Sequence, residues 1–558
     1  LGLCYGHQLM ARHYGGTVEP GEVGEFGIAQ MKQANDAACP LFRGIELPAQ
    51  VWMSHQDAVT SLPAGFCTAA STGDCVNAAI QCLEKRRFGL QFHVEVKDTP
   101  CGNSILENFA RFCGMEKNWD QDAVFDHIVA GIRREAAGKK VLLFLSGGVD
   151  STVAFALLNQ ALGQERVLGL HIDNGFMRKN ESSIISRRYR RLGFTNFVVE
   201  DASERFLAAV AGISDPQDKR RAVGETFIAV RDAVAARLNM DESQWLLAQG
   251  TLYPDIIESG GTENARVIKT HHNRVAGIQA LLARGLIIEP LKDLYKDEVR
   301  LLGAKLGLSS ELVQRHPFPG PGLSINVLCS TGSAPGDAAD LERLRAALTA
   351  NAALPRLAPG AEIASPADRR SDIPAGFRLN VLPVRSVGVQ GDFRTYTFPA
   401  VLTPVVRTAA GEAPVLDWDA LECCSAALTN AVKGVNRVVL ELWCRNGAVL
   451  RLQKGFCDKA RLDQTREVDA VVLEELKRTG WYSRIFQHLT INLPWAGQAD
   501  HCAMVLRPVV SEDVMTARFA RLDTEVLTAI RDKITALGFV DALYYDVTNK
   551  PPATFGWE

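Results

Sequence analysis

The chain has 558 residues, 47% of them hydrophobic and 22% charged, with a formal net charge of −3. That is the balance of a soluble globular protein, too long for one ordinary core, so three or so domains are expected. The charge gives no electrostatic case for a nucleic-acid partner, and no apolar run approaches membrane-spanning length, so neither nucleic acid nor membrane is expected as a partner. Thirteen cysteines without a paired C-x-x-C pattern suit reduced thiols in a cytoplasmic enzyme better than a disulfide framework or a zinc site. No signal peptide, C-terminal address, tandem repeat or low-complexity tract stands out.

The first stretch, Gly2-Leu3-Cys4-Tyr5-Gly6, is the cysteine form of the nucleophile elbow. Flanking glycines permit a sharp strand-to-helix turn, and a helix start lowers the pKa of a thiol placed there. The base is sought in Phe88-Gly89-Leu90-Gln91-Phe92-His93-Val94-Glu95, an apolar strand ending in a histidine. Alternation along an extended chain puts His93 and Glu95 on one side, so Glu95 can orient the imidazole that deprotonates Cys4. This set resembles the class I glutamine amidotransferases, and the resemblance implies that Cys4, His93 and Glu95 hydrolyse glutamine and release ammonia. Gln8 and Ser54-His55 also sit in stretches similar to that family's. The family usually carries proline where this chain has Val94. Its first strands and oxyanion glycines precede the cysteine, and the chain opens on Leu1, so an N-terminally incomplete amidotransferase domain is expected. A helix over Ile105–Phe112, a boundary near Gly114–Gln121 and an amphipathic entry helix over Phe125–Ile132 follow.

Lys140–Leu145 reads as a buried strand that stops on glycine, and Ser151–Leu158 as the helix after it. Between them lies Ser146-Gly147-Gly148-Val149-Asp150-Ser151-Thr152. Glycines at the turn allow close backbone approach, the helix N-terminus offers its amides, and the hydroxyls add donors, which together make an anion site. It lacks the lysine of the G-x-x-x-x-G-K-[ST] loop. It resembles the S-G-G-x-D-S signature of pyrophosphate-loop ATPases, which adenylate an oxygen. A carboxylate facing phosphates needs a divalent cation between them, so Asp150 is a candidate Mg²⁺ ligand. A strand over Arg166–Asp173, a helix over Ser182–Leu192 and a strand over Asn196–Val199 complete a parallel sheet whose ligand belongs at the carboxyl ends of its strands. The strand Leu246–Thr251 follows. Asp255, Glu258, Lys269, His271, His272, Lys292 and Asp293 are candidates for the loop that closes on the leaving pyrophosphate.

His316-Pro317-Phe318-Pro319-Gly320-Pro321-Gly322 cannot be helix and marks a rigid linker. Beyond it, Ser330–Asp372, rich in alanine, proline and glycine, is expected to include a mobile loop or an insertion. Strands over Arg378–Val389, Arg437–Leu442 and Ala542–Val547 mix with helices over Val468–Thr479 and Thr524–Leu537, which is an α+β pattern.

With Ile268-Lys269-Thr270-His271-His272-Asn273, Val384–Asp392 and the Lys550-Pro551-Pro552-Ala553-Thr554 tail, the chain resembles the glutamine-hydrolysing GMP synthetases from end to end. The resemblance implies an α/β fold class in three parts: a partial class I amidotransferase domain over 1–118, a doubly wound parallel-sheet adenylation domain for ATP and XMP over 119–323, and a C-terminal α+β dimerisation domain over 324–558. It implies glutamine, ATP and xanthosine 5′-monophosphate (XMP) as substrates, Mg²⁺ with ATP, a homodimer, and XMP contacts from Arg220, Asp392, Gln487 and Lys550. The family commonly ends in I-E-W-E, whereas this chain ends in Phe555-Gly556-Trp557-Glu558; Gly556 cannot supply the acid, and Glu558 is the available substitute. A pyrophosphate-loop RNA-modifying enzyme would show a basic groove and a C-x-x-C sulfur relay, and neither is present. A binding protein without turnover would rest on Val94, Gly556 and the N-terminal opening.

Overall fold

The computed structural model describes all residues except 35–37, 97, 117–119, 242, 254–283, 314, 333–334, 353–376, 391–392, 405–415 and 512–515. The chain forms two compact units, Leu1–Ala123 and Val124–Glu558. Among the described residues no helix is long and apolar enough to cross a membrane.

In the first unit, strands β1 (Gly2–Leu3), β2 (Thr17–Gln33), β3 (Ala49–Ser61), β4 (Cys67–Ser71), β5 (Ala79–Cys82) and β6 (Arg87–Leu90) form one sheet in the order β1-β6-β5-β4-β2-β3. β1 and β6 run parallel, with Leu3 opposite Leu90, so the chain leaves both strands at the same end of the sheet. Helix α1 (Tyr5–His13) starts there, and α2 (Gly102–Phe112) packs its apolar face with Phe88, Phe92 and Ile105 in the core. The strand expected to reach His93 ends at Leu90, and residues 91–96 bend, holding only an isolated bridge between Trp52 and His93.

The second unit opens within α3 (Gln121–Ala136) and, among the described residues, is built on a five-stranded and a seven-stranded sheet, with three two-stranded ribbons besides. Strands β7 (Lys140–Phe144), β8 (Val167–Asp173), β9 (Phe197–Asp201), β10 (Trp245–Ala248) and β11 (Ile287–Ile288) are all parallel in the order β11-β10-β7-β8-β9. β7 is central and its Val141, Leu142 and Leu143 are buried, as befits a strand covered on both faces. Helix α4 (Val149–Leu162) follows it, apolar on nearly every side because it lies between the sheet and the Lys296–Lys305 helix. Helices α5 (Glu181–Arg191), α6 (Ser203–Val210) and α7 (Pro216–Arg237) complete the crossovers.

The second sheet has the order Phe377–Val381, Ala400–Pro404, Val438–Cys444, Val540–Asp546, Cys502–Val510, Gln487–Leu493, with Arg518–Phe519 added beside Cys502–Val510. Helices Trp418–Ala431, Lys459–Arg478 and Thr524–Thr535 pack with it around a core that includes Leu428, Val472 and Ile530. Within the stretch expected to include a loop or insertion, Pro335–Ala352 is helical, and residues 353–372 of it lie outside the described residues. Alanine is the best helix former and proline is tolerated in a first turn, so a composition that reads as loop satisfies a helix. The chain end is pinned by a buried carboxylate: Asp546 accepts from Arg437, Arg507 and Trp557 Nε1, each at 2.9 Å. Burial would raise the Asp546 pKa, but Arg507 and Arg437 outweigh it and hold the group below its usual value.

Candidate functional site

In the first unit Cys4 is the N-cap of α1, with φ 46° and ψ −107°, a region disfavoured for any residue with a Cβ. Its amide donates to Leu90 O at 2.8 Å, which fixes the turn to β6. Gly2 is required, because a Cβ there would lie 2.5 Å from Gly6 O; a Cβ on Gly6 itself would meet nothing within 4 Å, so only the first flanking glycine has a steric reason. The thiol donates to Ser54 O at 3.8 Å and receives Gln91 Nε2 at 3.8 Å. Gln91 in turn accepts from Gln8 Nε2 at 3.2 Å, and Gln8 also donates to Asp57 O at 2.8 Å. Gln91 lies within the stretch that held the base, yet the sequence assigned it no role.

His93 Nδ1 and Glu95 Oε1 are 2.6 Å apart on a partly exposed surface. The expected pairing forms, but in the bend after β6 and not by strand alternation. With Nδ1–H given to Glu95, Nε2 carries the lone pair a base needs. The parallel register of β1 and β6 brings the Cys4 elbow and the 91–95 segment out of one sheet end.

In the second unit the Ser146–Thr152 turn sits at the carboxyl end of β7. Gly147 has φ 74°, and a Cβ there would lie 2.3 Å from Ile185 Cδ1. Gly148 is less constrained, with Ser146 Oγ 3.3 Å from a built Cβ. Ser146 and Ser151 hydroxyls are 3.0 Å apart, and Thr152 Oγ1 donates to Gly148 O at 2.8 Å and contacts Tyr189 OH at 3.0 Å. Behind the loop, buried His171 joins Leu145 O at 2.6 Å to Ser182 Oγ at 2.9 Å, and burial lowers its pKa, keeping it neutral. Arg315 bridges Gly147 O and Glu181. Gly250, just past β10, closes on the start of α4, with 3.3 Å from a built Cβ to Ser151 N.

Both oxygens of Asp150 bond Lys296 Nζ, at 2.6 and 2.5 Å. Lys292 pairs instead with Glu135 at 3.5 Å, and Asp293 is exposed. Lys296 and Arg315 were not foreseen; each is a single basic residue in a helical or linker stretch with no local signal. Asp255, Glu258, Lys269, His271, His272 and Asp392 lie outside the described residues.

Two of the four XMP-contact candidates, Arg220 and Lys550, meet the chain end. Arg220, in the first turns of α7, donates to Glu558 O, and its neighbour Lys219, fully buried, pairs with Glu558 Oε2 at 2.5 Å and donates to Val327 O at 2.9 Å. The Glu558 carboxylate, named as a substitute for the missing acid, is thus committed to Lys219. Lys550 lies over Phe555, 4.6 Å from the ring centroid. Gln487 donates to Pro317 O at 2.9 Å, and adjacent Phe486 packs on Phe555 at 5.5 Å. α7 is started by Asp215, whose side chain accepts from Gln217 N at 2.8 Å and Asp218 N at 2.9 Å. Asp215→Ala should cost about 1 kcal/mol in urea unfolding.

A cysteine elbow on one sheet and a glycine-turned anion loop on a parallel sheet define the class: a glutamine amidotransferase joined to a nucleotide-dependent ligase. The class-I glutamine amidotransferase family matches residues 1–112, the NAD synthase family residues 122–200, and the GMP synthase C-terminal domain residues 367–450 and 474–557. A probable glutamine-hydrolysing GMP synthase of Leptospira interrogans is 38% identical over 568 residues, spanning 100% of this chain and 87% of that protein. GMP synthases of Syntrophomonas wolfei and Geobacillus kaustophilus are each 40% identical, over 79% and 81% of this chain and 82% and 84% of theirs. The chain belongs to the glutamine-hydrolysing GMP synthase family, ligases that take their amido nitrogen from glutamine.

Proposed function

We propose that this chain aminates XMP at C2, using ATP to activate the O2 oxygen and ammonia from glutamine as the nucleophile. The observation that carries the reading is the Gly147 turn at the carboxyl end of β7, a preorganised anion site in a chain that also bears the Cys4 elbow. Cys4 attacks the glutamine carboxamide, His93 accepts the thiol proton and returns it to the departing ammonia, and Glu95 holds the imidazole. The Tyr5 amide at the helix start faces the developing oxyanion, and water then releases glutamate from the thioester. At the second site XMP O2 attacks the α-phosphorus of ATP, and the amides of 147–152 with the Ser146 and Ser151 hydroxyls receive the leaving pyrophosphate. Ammonia then displaces AMP from C2.

Mg²⁺ fits the donor chemistry at Asp150, a hard carboxylate at the start of α4 whose two oxygens already hold a cation, Lys296. When bound there, the ion would neutralise charge building on the pyrophosphate. Lys296 would then turn to the phosphates. Asp255, Glu258, Lys269, His271 and His272, with Lys292 and Asp293, are proposed for the closing loop. Arg220, Lys550, Gln487 and Asp392 are proposed as XMP contacts, the two cations suiting a phosphate.

Domain limits of 1–118, 119–323 and 324–558 are proposed with these roles, and two copies are proposed to associate through the last. A cytoplasmic setting is supported by the absence of disulfides among the described residues, which include all thirteen cysteines.

XMP labelled with ¹⁸O at O2 tests the chemistry. The label should appear in the AMP phosphate; label retained elsewhere would rule out adenylation of O2. A second test concerns Gly556, where a Cβ would have no neighbour closer than 3.8 Å. Gly556→Glu restores the acid common in the family and should lower the XMP KM about 3- to 10-fold with kcat unchanged; an unchanged KM would mean that the acid contributes nothing in this chain.

A further inference from the structure

Behind the nucleophile of the first unit lies a group of side chains that the proposed reaction does not use. Glu25 on β2 and His55 on β3 are direct cross-strand partners, and Cys75 lies in the turn after β4. All three are buried, at 8%, 7% and 2% exposure. One ligand atom from each lies within 4.8 Å of the others. The turn is closed by Thr72, whose backbone N donates to Cys75 O at 2.9 Å, and whose hydroxyl accepts from Cys75 N at 3.0 Å and reaches the Glu25 oxygens at 2.8 and 3.0 Å.

The imidazole makes this more than a polar cluster. His55 Nδ1 is 3.0 Å from Asp57 O, and Nε2 is 3.3 Å from Glu25 Oε2. Both neighbours are acceptors. Once Nδ1–H is donated to the carbonyl, the Nε2 lone pair faces a carboxylate, and a cation must lie between them, either a second proton or a metal ion. A backbone carbonyl on Nδ1 with Nε2 directed at the ligand group is the arrangement that orients metal-bound histidines.

We propose that Glu25, His55 and Cys75 bind one zinc ion. Thiolate and imidazole select a borderline-soft ion over Mg²⁺ or Ca²⁺, which prefer all-oxygen sites. Zinc bonds of about 2.0–2.3 Å place tetrahedral ligand atoms about 3.3–3.8 Å apart. The Glu25–His55 separation of 3.3 Å already fits, and Cys75 needs to close by no more than about 1.5 Å to reach that range. Binding releases the Cys75 thiol proton and leaves His55 neutral at Nε2. The protein without metal disfavours that thiolate, since burial first and then Glu25 push the Cys75 thiol up to about 12; the ion supplies the opposing charge. Three protein ligands leave a fourth position. The consequence is structural. Ser54, whose carbonyl meets Cys4 Sγ, immediately precedes His55, so zinc would tie the β2–β3 pair and the 72–75 turn together beneath the elbow.

The test uses the full chain carrying Cys4→Ala, which removes the nucleophile's own thiol. After zinc loading and dialysis, metal analysis should find about one zinc per chain, and Co²⁺ should give a thiolate-to-cobalt charge-transfer band. Cys75→Ser in this background should abolish the band and lower retained zinc at least tenfold. Thr72→Val, which keeps all three ligands but removes the hydroxyl bonding Glu25, should weaken zinc about 10- to 100-fold, and it decides the matter if Cys75→Ser does not fold. Absence of the cobalt band in the parent, or zinc retention indifferent to both substitutions, would overturn the site and assign the His55–Glu25 pair to a proton.

Discussion

Cys4→Ala is expected to abolish GMP formation from glutamine, by at least about 10³-fold in kcat, while ammonium-dependent formation stays within about twofold of the parent. In the proposed reaction the thiol is the atom that attacks the carboxamide, and its contacts among the described residues, Gln91 and the Ser54 carbonyl, are neither nucleophile nor base. The synthetase loop belongs to a separate compact unit, so its chemistry does not depend on the thiol. Alanine also relieves nothing in the turn, because the strained φ of 46° belongs to the backbone and penalises any side chain equally. Steady-state assays with each nitrogen source measure the split. Equal loss with ammonium and glutamine would contradict a distinct glutaminase centre at Cys4.

The second large effect is expected from Gly147→Ala, and it should fall on both nitrogen sources alike. Its φ of 74° is unfavourable for alanine, and the new methyl would meet Ile185 Cδ1 at 2.3 Å and Arg315 Nη1 at 3.0 Å. Ile185 belongs to α5, whose core packing prevents an easy retreat. The turn must therefore open, carrying the 147–152 amides away from the phosphate position proposed for them. A displacement of about 1 Å in a positioning group costs on the order of 10²-fold in rate, so pyrophosphate release should fall by at least that factor. Glutamine hydrolysis in the first unit should survive. Gly148→Ala is the control: its built Cβ only approaches Ser146 Oγ, at 3.3 Å, a hydroxyl that can rotate, and its effect should be several-fold smaller.

The contrast between these glycines marks how far the sequence could be read. An apolar run that stops on glycine and restarts as a helix is a local signal, and β7, its turn and α4 lie where that signal puts them. The cysteine elbow was legible for the same reason. His93 and Glu95 were paired correctly on a mistaken premise, since the strand stops at Leu90 and a bend makes the contact. What escaped was carried by distance along the chain. Lys296 reaches Asp150 across 146 positions and Arg220 reaches Glu558 across 338, and no periodicity in either stretch announces such a partner. The Glu25–His55–Cys75 group was hidden likewise: its members lie on two strands and in a turn, and scattered cysteines argued against any zinc site. The helix Pro335–Ala352 was missed because alanine, proline and glycine were weighed together as loop formers when only their order within the segment decides.

In the proposed function one chain carries both a glutaminase and an XMP-adenylating centre. Pyrophosphate release from ATP, measured with and without XMP and with ammonium or glutamine as nitrogen source, tests that directly. The prediction is XMP-dependent release with either source, the glutamine rate alone vanishing in Cys4→Ala. Release that ignores XMP, or none with ammonium, would contradict it.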